Sequence, residues 1–499
     1  MAQAQKPDIL VFMSDQHTPY YSGFRCGNVD TPHMDRLAAE GADFCEAYTT
    51  CPLCVPARAS MLTALRPANT GIFTLADAIP DTTPTFLHNL VEAGYETVLA
   101  GRMHFLGQDQ RHGFTKRLAA DMTPVTWARP NQKIAEERGV WARCFGGPFA
   151  TEVVGGGEGP VEHYDGEVVA AALEYLAQPH EKPQFVCVSL YAPHFPYVAP
   201  VELFQKYAAR AKLPASFGDG LPPLLAHHAA PGVSEATALG AQAAYCGMIE
   251  RLDGQLGQVR AAFDAFCKKR GSRGLFCYVS DHGDQCGDRK IFGKQTFYER
   301  SAKIPLLFAG DGVAAGHKVT APVSIQDLGP TLLEYAGAKP MRWVDGVSLA
   351  AALEGGEAPP HTVYSEFLER TDAGPRTPGF TDRRYSYGLM VREGPYKLIT
   401  YSGHEAYDQV YDVAADPDER QDLAARQPAL LARLRALADT VAMPQQAVRL
   451  QMQHDRAAVL FALYDQAVGR TDGPERWSKN PPSARSAPAI CVNGPGKRG

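Results

Sequence analysis

Alternation of strand-like and helix-like segments over the first three-fifths of this chain constrains its fold more than any other feature. The run at 8–14 (DILVFMS) is apolar and stops at polar residues, which is typical of a strand buried on both faces. Further strands are predicted at 95–100, 185–190, 275–280 and 304–308, and helices at 34–40, 85–93, 168–176 and 235–267. This pattern predicts an α/β fold with a large, mostly parallel sheet flanked by helices.

The pattern changes near residue 384. Short alternating runs at 387–391, 396–401 and 410–413 predict a smaller C-terminal antiparallel α+β subdomain, and a helix is predicted at about 455–468. We therefore divide the chain into a catalytic domain at 1–383, the small subdomain at 384–440 and a helical or extended tail at 441–499. The Pro/Gly/Ser-rich end of the tail cannot fold alone, so it either contacts a neighbouring subunit or is loose, and we expect a homo-oligomer.

Charge and hydropathy exclude two classes of partner. The net charge is −6 and the basic residues are dispersed, so no nucleic-acid partner is expected. The N-terminus lacks the apolar core of a signal peptide, and no window of about 18 uncharged apolar residues follows, so we expect a cytoplasmic protein without a membrane partner. The 11 cysteines are scattered and should be mostly reduced. A small-molecule substrate is the remaining expectation.

Polar clusters follow three of the predicted strands. They are Asp15-Gln16, Arg102-Met103-His104 and Asp281-His282. Ligands bind at the carboxyl ends of parallel strands, so these clusters could form one site although they are far apart in sequence. A single aspartate after a strand is more often a helix cap, and only the combination indicates a metal site.

The sharpest motif lies at 51–63 (CPLCVPARASMLT), where Cys54 opens a helical pattern. A helix N-terminus favours an anion and lowers the pKa of a thiol. Two buried cysteines at 51 and 54 are an alternative, whereas a redox pair or half a zinc site is less favoured because no partner motif appears.

Residues 54–63 resemble, in slightly shortened form, the signature of the sulfatase family, the formylglycine-dependent type I sulfatases of the alkaline-phosphatase superfamily. The resemblance extends over about 8–423. It implies an alkaline-phosphatase-like fold and a Cys54 oxidised to formylglycine by a formylglycine-generating enzyme. In that family the hydrated aldehyde attacks the sulfur of a sulfate ester.

Asp15-Gln16 and Asp281-His282 resemble the two halves of the family's metal site, to which Cys54 also contributes. Two carboxylates with an amide and an imidazole suit one divalent ion, Ca²⁺ or Mn²⁺. The family more often has Asp-Asp and Asp-Asn, so Gln16 and His282 are departures. They resemble the phosphonate monoester hydrolases, which are close relatives.

The resemblance also implies roles for residues around the nucleophile. Arg58 and the metal would favour the ionised hydroxyl of the formylglycine, and His104 would deprotonate its second hydroxyl. His194, in a stretch (APHFP) that matches the family's P-H-x-P loop, would protonate the departing alcohol. Lys294 would grip the sulfuryl oxygens, and Arg102, which replaces the family's lysine, would join His194 and Lys294 in binding substrate.

The resemblance thus predicts metal-dependent hydrolysis of small-molecule sulfate esters, of the arylsulfatase or choline-sulfatase kind. One alternative is a phosphonate monoester or phosphodiester hydrolase with the same nucleophile. A second is a non-catalytic binding protein with unmodified Cys54. Leu75 is a further departure, since many relatives carry an asparagine there.

Overall fold

An eight-stranded sheet forms the centre of the protein in a computed structural model that describes residues 6–127, 150–371, 385–470 and 490–491. The strands are β1 (Asp8–Asp15), β2 (Ala42–Phe44), β3 (Ala47–Tyr48), β4 (Glu96–Gly101), β5 (Lys116–Ala119), β6 (Val154–Gly156), β7 (Gln184–Pro193), β8 (Tyr197–Ala199), β9 (Gly274–Ser280), β10 (Leu306–Gly310), β11 (His317–Val319), β12 (Val323–Ser324), β13 (Val363–Arg370), β14 (Tyr385–Glu393), β15 (Tyr396–Tyr401), β16 (Gln409–Asp412) and β17 (Ile490–Cys491). The large sheet has the order β11-β2-β10-β9-β1-β7-β4-β5. Three smaller sheets, β12-β3, β13-β14-β15-β16 and β17-β6-β8, complete the set.

Helices cover the large sheet and connect its strands. They are α1 (Gly23–Cys26), α2 (Pro32–Glu40), α3 (Cys54–Thr63), α4 (Pro67–Thr70), α5 (Phe86–Glu92), α6 (Pro160–Ala177), α7 (Val201–Ala208), α8 (Glu235–Arg270), α9 (Glu299–Ala302), α10 (Leu328–Tyr335), α11 (Ala350–Leu353), α12 (Pro428–Asp439) and α13 (Pro444–Ala467). Short 3-10 helices lie at Pro223–His228, Asp288–Lys290, Ile325–Asp327 and Glu405–Tyr407. The longest helix, α8, begins where the Ser234 side chain accepts a hydrogen bond from the Thr237 amide and ends at Gly271 in the left-handed conformation.

Strand β1 shows why the large sheet forms. All eight of its residues are buried, and alternate side chains enter different apolar cores. Leu10 and Phe12 pack into one core, and Ile9, Val11 and Met13 into the other. A strand covered by helices on both faces must be apolar on both faces, as the sequence predicted.

The predicted α/β fold is confirmed, with differences in detail. β10 runs antiparallel to both β9 and β2, whereas the other described pairs of the large sheet are parallel. The small antiparallel sheet includes β13, which lies before residue 384, so this sheet takes in chain that the predicted division assigned to the catalytic domain. The predicted helix at 455–468 is the second half of α13, which starts at Pro444 because proline suits a first helical turn.

Of the predicted tail at 441–499, residues 471–489 and 492–499 lie outside the described residues. The two described residues near its end, Ile490 and Cys491, pair antiparallel with β6 of the same chain. The three-domain division and the homo-oligomer stay predictions. Among the described residues, the structure has no helix with the length and apolar character needed to span a bilayer.

Candidate active site

Four neighbouring strands of the large sheet bring the predicted site residues to one edge. β9, β1, β7 and β4 are consecutive in the sheet and mutually parallel, so their carboxyl ends lie side by side. Asp15 ends β1, and Asp281, His194 and Arg102 directly follow β9, β7 and β4. The register between β1 and β7 shifts between Met13 and Asp15, at the site itself.

Helix α3 places Cys54 at the centre of this edge. Cys54 is the first residue of the helix and is 1% exposed. Its Sγ lies 2.9 Å from Lys294 Nζ, 3.2 Å from His282 Nε2 and 3.7 Å from Asp15 Oδ1. The sulfur therefore occupies a position between a cation, an imidazole and a carboxylate.

Arg58 lies one helical turn after Cys54 and joins the two predicted metal-binding carboxylates. Its Nε donates to Asp281 Oδ2 over 2.8 Å, and its Nη2 donates to Asp15 Oδ2 over 3.0 Å. Nη1 donates to the Arg102 carbonyl and to Ser189 Oγ, each over 3.0 Å. The guanidinium is buried, so it offsets two carboxylate charges that water does not reach.

Asp15 remains ionised in this buried position. Burial opposes its ionisation, but the charges of Arg102 and Lys294 hold the pKa of its carboxyl well below the usual range. Arg102 Nε donates to Asp15 Oδ2 over 2.7 Å. A carboxylate that stays charged at neutral pH can bind a cation on its free oxygen.

The side-chain amide of Gln16 is oriented by a residue that sequence reasoning missed. Its Nε2 donates to Asp284 Oδ2 over 2.6 Å, which settles the direction of the amide. Its Oε1 is buried without a hydrogen-bond partner. Asp284 is held in turn by the Tyr197 hydroxyl at 2.8 Å and the Gly293 amide at 2.9 Å.

His282 also presents an acceptor atom to the site. Its Nδ1 lies 3.0 Å from the Gly283 carbonyl, which can only accept, so Nδ1 carries the proton and Nε2 a lone pair. Burial lowers the pKa of His282 to about 4, which keeps the ring neutral. Neutral imidazoles held in this way are typical metal ligands.

These residues fit a divalent metal ion. The donor atoms of Asp15, Cys54, Asp281 and His282 all lie within 4.8 Å of one another. Gln16 Oε1, on the residue that follows Asp15, is buried without a hydrogen-bond partner and is a candidate for a further oxygen ligand. Buried polar atoms are rarely left unpaired, and oxygen donors with one imidazole suit Ca²⁺ or Mn²⁺.

Arg102 and His104 form a hydrogen-bonded pair beside the nucleophile. Arg102 Nη2 lies 2.8 Å from His104 Nδ1, and the guanidinium lies 4.5 Å above the Tyr191 ring. Its Nη1 is buried without a partner. Burial and the Arg102 charge lower the pKa of His104. The Asp121 carboxylate accepts from the His104 amide over 2.8 Å and so fixes the loop.

Hydrogen bonds to the His194 ring and to the residues before it fix the position of His194. Its Nδ1 lies 2.8 Å from the Phe195 carbonyl, so Nε2 is its free nitrogen. Burial and the Lys294 charge hold the pKa of His194 well below its usual value. The preceding residues are fixed by Asp165, whose carboxylate accepts from the Tyr191 and Ala192 amides over 2.7 and 2.9 Å.

All ten predicted site residues lie in this cluster. Leu75, noted above as a departure, lies on a loop and is 42% exposed, and its apolar side chain has no group that could donate a hydrogen bond. Sequence reasoning missed Asp284, Asp121 and Asp165. The spacing in Asp281-His282-Gly283-Asp284 could have suggested the first, whereas no local pattern distinguishes the other two.

The sequence is similar to known proteins over most of its length. The profile of the family described as Sulfatase matches residues 7–338, and that of N-sulphoglucosamine sulphohydrolase, C-terminal, matches residues 287–440. A choline-sulfatase of Rhizobium meliloti (strain 1021) is 32% identical over 446 residues, which cover 84% of this chain and 82% of the relative.

Two solved structures share the fold. A phosphonate monoester hydrolase of Agrobacterium radiobacter has a TM-score of 0.67 at 22% identity, with 90% of this chain and 96% of that chain covered. A protein described as a 2-O GAG sulfatase has a TM-score of 0.65 at 23% identity, with 96% and 99% covered.

Proposed function

This chain belongs to the sulfatase family, and on that premise we propose that it hydrolyses sulfate esters through a formylglycine made from Cys54. The observation that carries the proposal is the surroundings of the Cys54 sulfur. A cationic amine, a neutral imidazole and an ionised carboxylate lie within 3.7 Å of it. A cysteine that served only to fill the core would not need these groups.

Asp15, Gln16, Asp281 and His282 would hold one divalent ion, Ca²⁺ or Mn²⁺, with residue 54 as a further ligand. A bound ion supplies positive charge that favours an ionised hydroxyl on residue 54 and offsets charge on the sulfuryl oxygens. Formylglycine supplies, as its hydrate, one hydroxyl for attack on sulfur and a second whose loss of a proton releases sulfate. A formylglycine-generating enzyme is the proposed maturation partner.

Arg58 holds the ligand carboxylates at a fixed separation. It bonds to Asp15 and Asp281 through different nitrogens, so neither carboxylate can turn without losing a charged hydrogen bond. Its positive charge also lies close enough to favour an anion at residue 54. Both effects preorganise the nucleophile before substrate binds.

Lys294 and Arg102 provide positive charge for the sulfate group. Lys294 Nζ is 2.9 Å from the sulfur of Cys54, so it can reach an oxygen of an ester that residue 54 attacks. Arg102 keeps one buried nitrogen without a partner, and a sulfuryl oxygen would satisfy it. Arginine keeps its proton in proteins, so Arg102 acts by charge and hydrogen bonding.

His194 would give a proton to the departing alcohol. Because Nδ1 donates to the Phe195 carbonyl, only a protonated ring has a proton on Nε2 to give. The sulfate ester brings a negative charge that raises the pKa of a nearby imidazole and so favours this protonated form. Proton transfer would then follow substrate binding.

The hydrogen bonds of His104 support a role other than the base that the resemblance implies. Arg102 donates to its Nδ1, so the neutral ring carries its proton on Nε2 and donates towards residue 54. Acting as a base at Nε2 would require the ring to give up this hydrogen bond. The geometry favours His104 as a donor that orients the hydrate.

The modification is tested by mass spectrometry of the tryptic peptide 37–58 from protein made in its native host. A peptide in which CHO replaces CH₂SH, together with 4-nitrophenyl sulfate hydrolysis lost in Cys54→Ala, supports the proposal. A thiol at 54 in protein that lacks turnover would favour the non-catalytic binding protein instead.

A second candidate is hydrolysis of phosphonate monoesters or phosphodiesters. It is favoured by the Asp-Gln and Asp-His pairs, which Asp284 supports by orienting Gln16. Parallel kcat/KM measurements on choline sulfate, 4-nitrophenyl sulfate and a phenylphosphonate monoester separate the two. A preference for the phosphonate would replace the sulfatase proposal. A cytoplasmic location and a homo-oligomer remain further predictions.

A further inference from the structure

Two adjacent histidines and a glutamate form a second cluster outside the residues assigned above. His227 and His228 end the 3-10 helix Pro223–His228, and Glu369 lies next to the last residue of β13. His227 Nε2 lies 3.1 Å from Glu369 Oε1, and His228 Nε2 lies 2.8 Å from Oε2. The same nitrogen of both rings therefore points to one carboxylate.

Convergence of neighbouring residues in this way is unusual. Successive side chains of a 3-10 helix point about 120° apart, because the helix has about three residues per turn. Here the two ring centroids are only 4.1 Å apart. Both rings have turned to the same side, where Glu369 is 1% exposed and His228 is also buried.

The hydrogen bonds of His227 determine which of its nitrogens is free. Its Nδ1 lies 3.1 Å from the Leu224 carbonyl, which can only accept a hydrogen bond. A neutral His227 thus carries its proton on Nδ1 and directs the Nε2 lone pair at the Glu369 carboxylate. Two acceptors at this distance repel unless a proton or a cation lies between them.

The donor set is typical of one class of cation. Two imidazole nitrogens and one carboxylate match the three protein ligands of open zinc sites, in which water takes the fourth position. Second ring nitrogens bonded to carbonyls, as in His227, are typical of such ligands. Ca²⁺ and Mg²⁺ prefer sets made of oxygen alone. His227 is partly exposed, so an ion can enter from solvent.

We propose that His227, His228 and Glu369 bind a second metal ion of the Zn²⁺ class. The ion would fasten the 3-10 helix Pro223–His228 to the small antiparallel sheet. Both parts adjoin segments that carry site residues: the Glu366 amide in β13 donates to the Thr50 carbonyl over 2.7 Å, and the Ala230 amide to the Lys290 carbonyl over 2.9 Å. The ion would therefore hold together the 3-10 helix and the small sheet, which adjoin segments near Cys54.

The test is a metal titration of the full chain after treatment with a chelator. Wild-type protein and His227→Asn/His228→Asn are titrated with Zn²⁺ by calorimetry and with Co²⁺ by visible absorption. We expect wild type to bind one equivalent more than the double variant, with the intense visible bands of four-coordinate Co²⁺. Zn²⁺ should also raise the melting temperature of wild type more than that of the double variant.

His163→Asn is the matched control, because His163 faces Glu158 at 3.5 Å on the surface and belongs to no cluster of three possible ligands among the described residues. It should bind as many ions as wild type. Glu369→Gln keeps the shape of the side chain and should lose the same equivalent as the double variant. Equal stoichiometry in wild type and in both folded cluster variants, checked by circular dichroism, would show an ion pair only and overturn the proposal.

Discussion

Arg102 Nη2 donates a hydrogen bond to His104 Nδ1 over 2.8 Å, and this contact decides which nitrogen of the imidazole carries the proton. Arginine does not lose its proton in proteins, so the direction of the hydrogen bond is fixed. The neutral ring therefore carries its proton on Nε2, and the hydrogen bond between His104 and Cys54 uses this N–H. Where the family has lysine, this chain has a planar cation that bonds to Asp15 and His104 through different nitrogens.

If His104 is a donor, an amide should replace it better than a methyl group. His104→Gln can still donate, whereas His104→Ala cannot, and losing one such donor costs about 10²–10³ in kcat. We expect kcat on one sulfate ester to fall by that factor in His104→Ala. The loss of kcat in His104→Gln should be much smaller. Equal losses in both variants would instead indicate a base.

Activity should decrease as pH rises above the lowered pKa of His194 in the free enzyme. The pKa of His194 is held below its usual value in the free enzyme, and the acid role requires the protonated ring, so kcat/KM falls as pH rises above that lowered pKa. The slope should vanish in His194→Gln. In this variant, activity towards alkyl sulfates should fall more than activity towards 4-nitrophenyl sulfate, because alkyl alcohols are poorer leaving groups. A pH profile that His194→Gln leaves unchanged would contradict the assignment.

Asp284 should control metal affinity without touching the ion. In Asp284→Asn the acceptor of the Gln16 amide is weakened, so the Gln16 oxygen is no longer fixed towards the site. Supporting residues of this kind typically contribute about 10–100-fold in metal affinity, which calorimetry with Ca²⁺ and Mn²⁺ would measure.

Asp253→Asn is the control for that experiment. Asp253 is also a buried carboxylate that accepts from backbone amides, those of His33 and Met34, but it lies on α8 and has no described contact with the site. It should leave metal affinity at the wild-type value. A similar loss in both variants would assign the effect to general destabilisation.

Removing Arg58 should destabilise the protein most when metal is absent. Arg58→Met leaves Asp15 and Asp281 without their shared cation, and breaking a buried ion pair from one side costs about 3–5 kcal/mol. A divalent ion replaces part of the missing charge, so the difference in free energy of unfolding should shrink when Ca²⁺ or Mn²⁺ is added. Urea unfolding with and without the ion measures this, and a metal-independent difference would argue against a shared site.

The sequence by itself determined the local features of this protein. The apolar run of β1 predicted a strand buried on both faces, and the motif at 51–63 placed Cys54 at a helix N-terminus, as the structure shows. It also identified polar residues after three predicted strands and, by resemblance, His194 after a fourth. These features depend on periodicity and on residues near in sequence, which a single chain displays directly.

Only the tertiary structure decided how these parts combine. It set the strand order that places the ends of β9, β1, β7 and β4 side by side, and it paired Gln16 with Asp284 across 268 positions. It also brought Glu369, on a strand that the sequence did not predict, to His227 and His228. Such pairings depend on how distant segments pack, and the local pattern of one sequence carries no record of that packing.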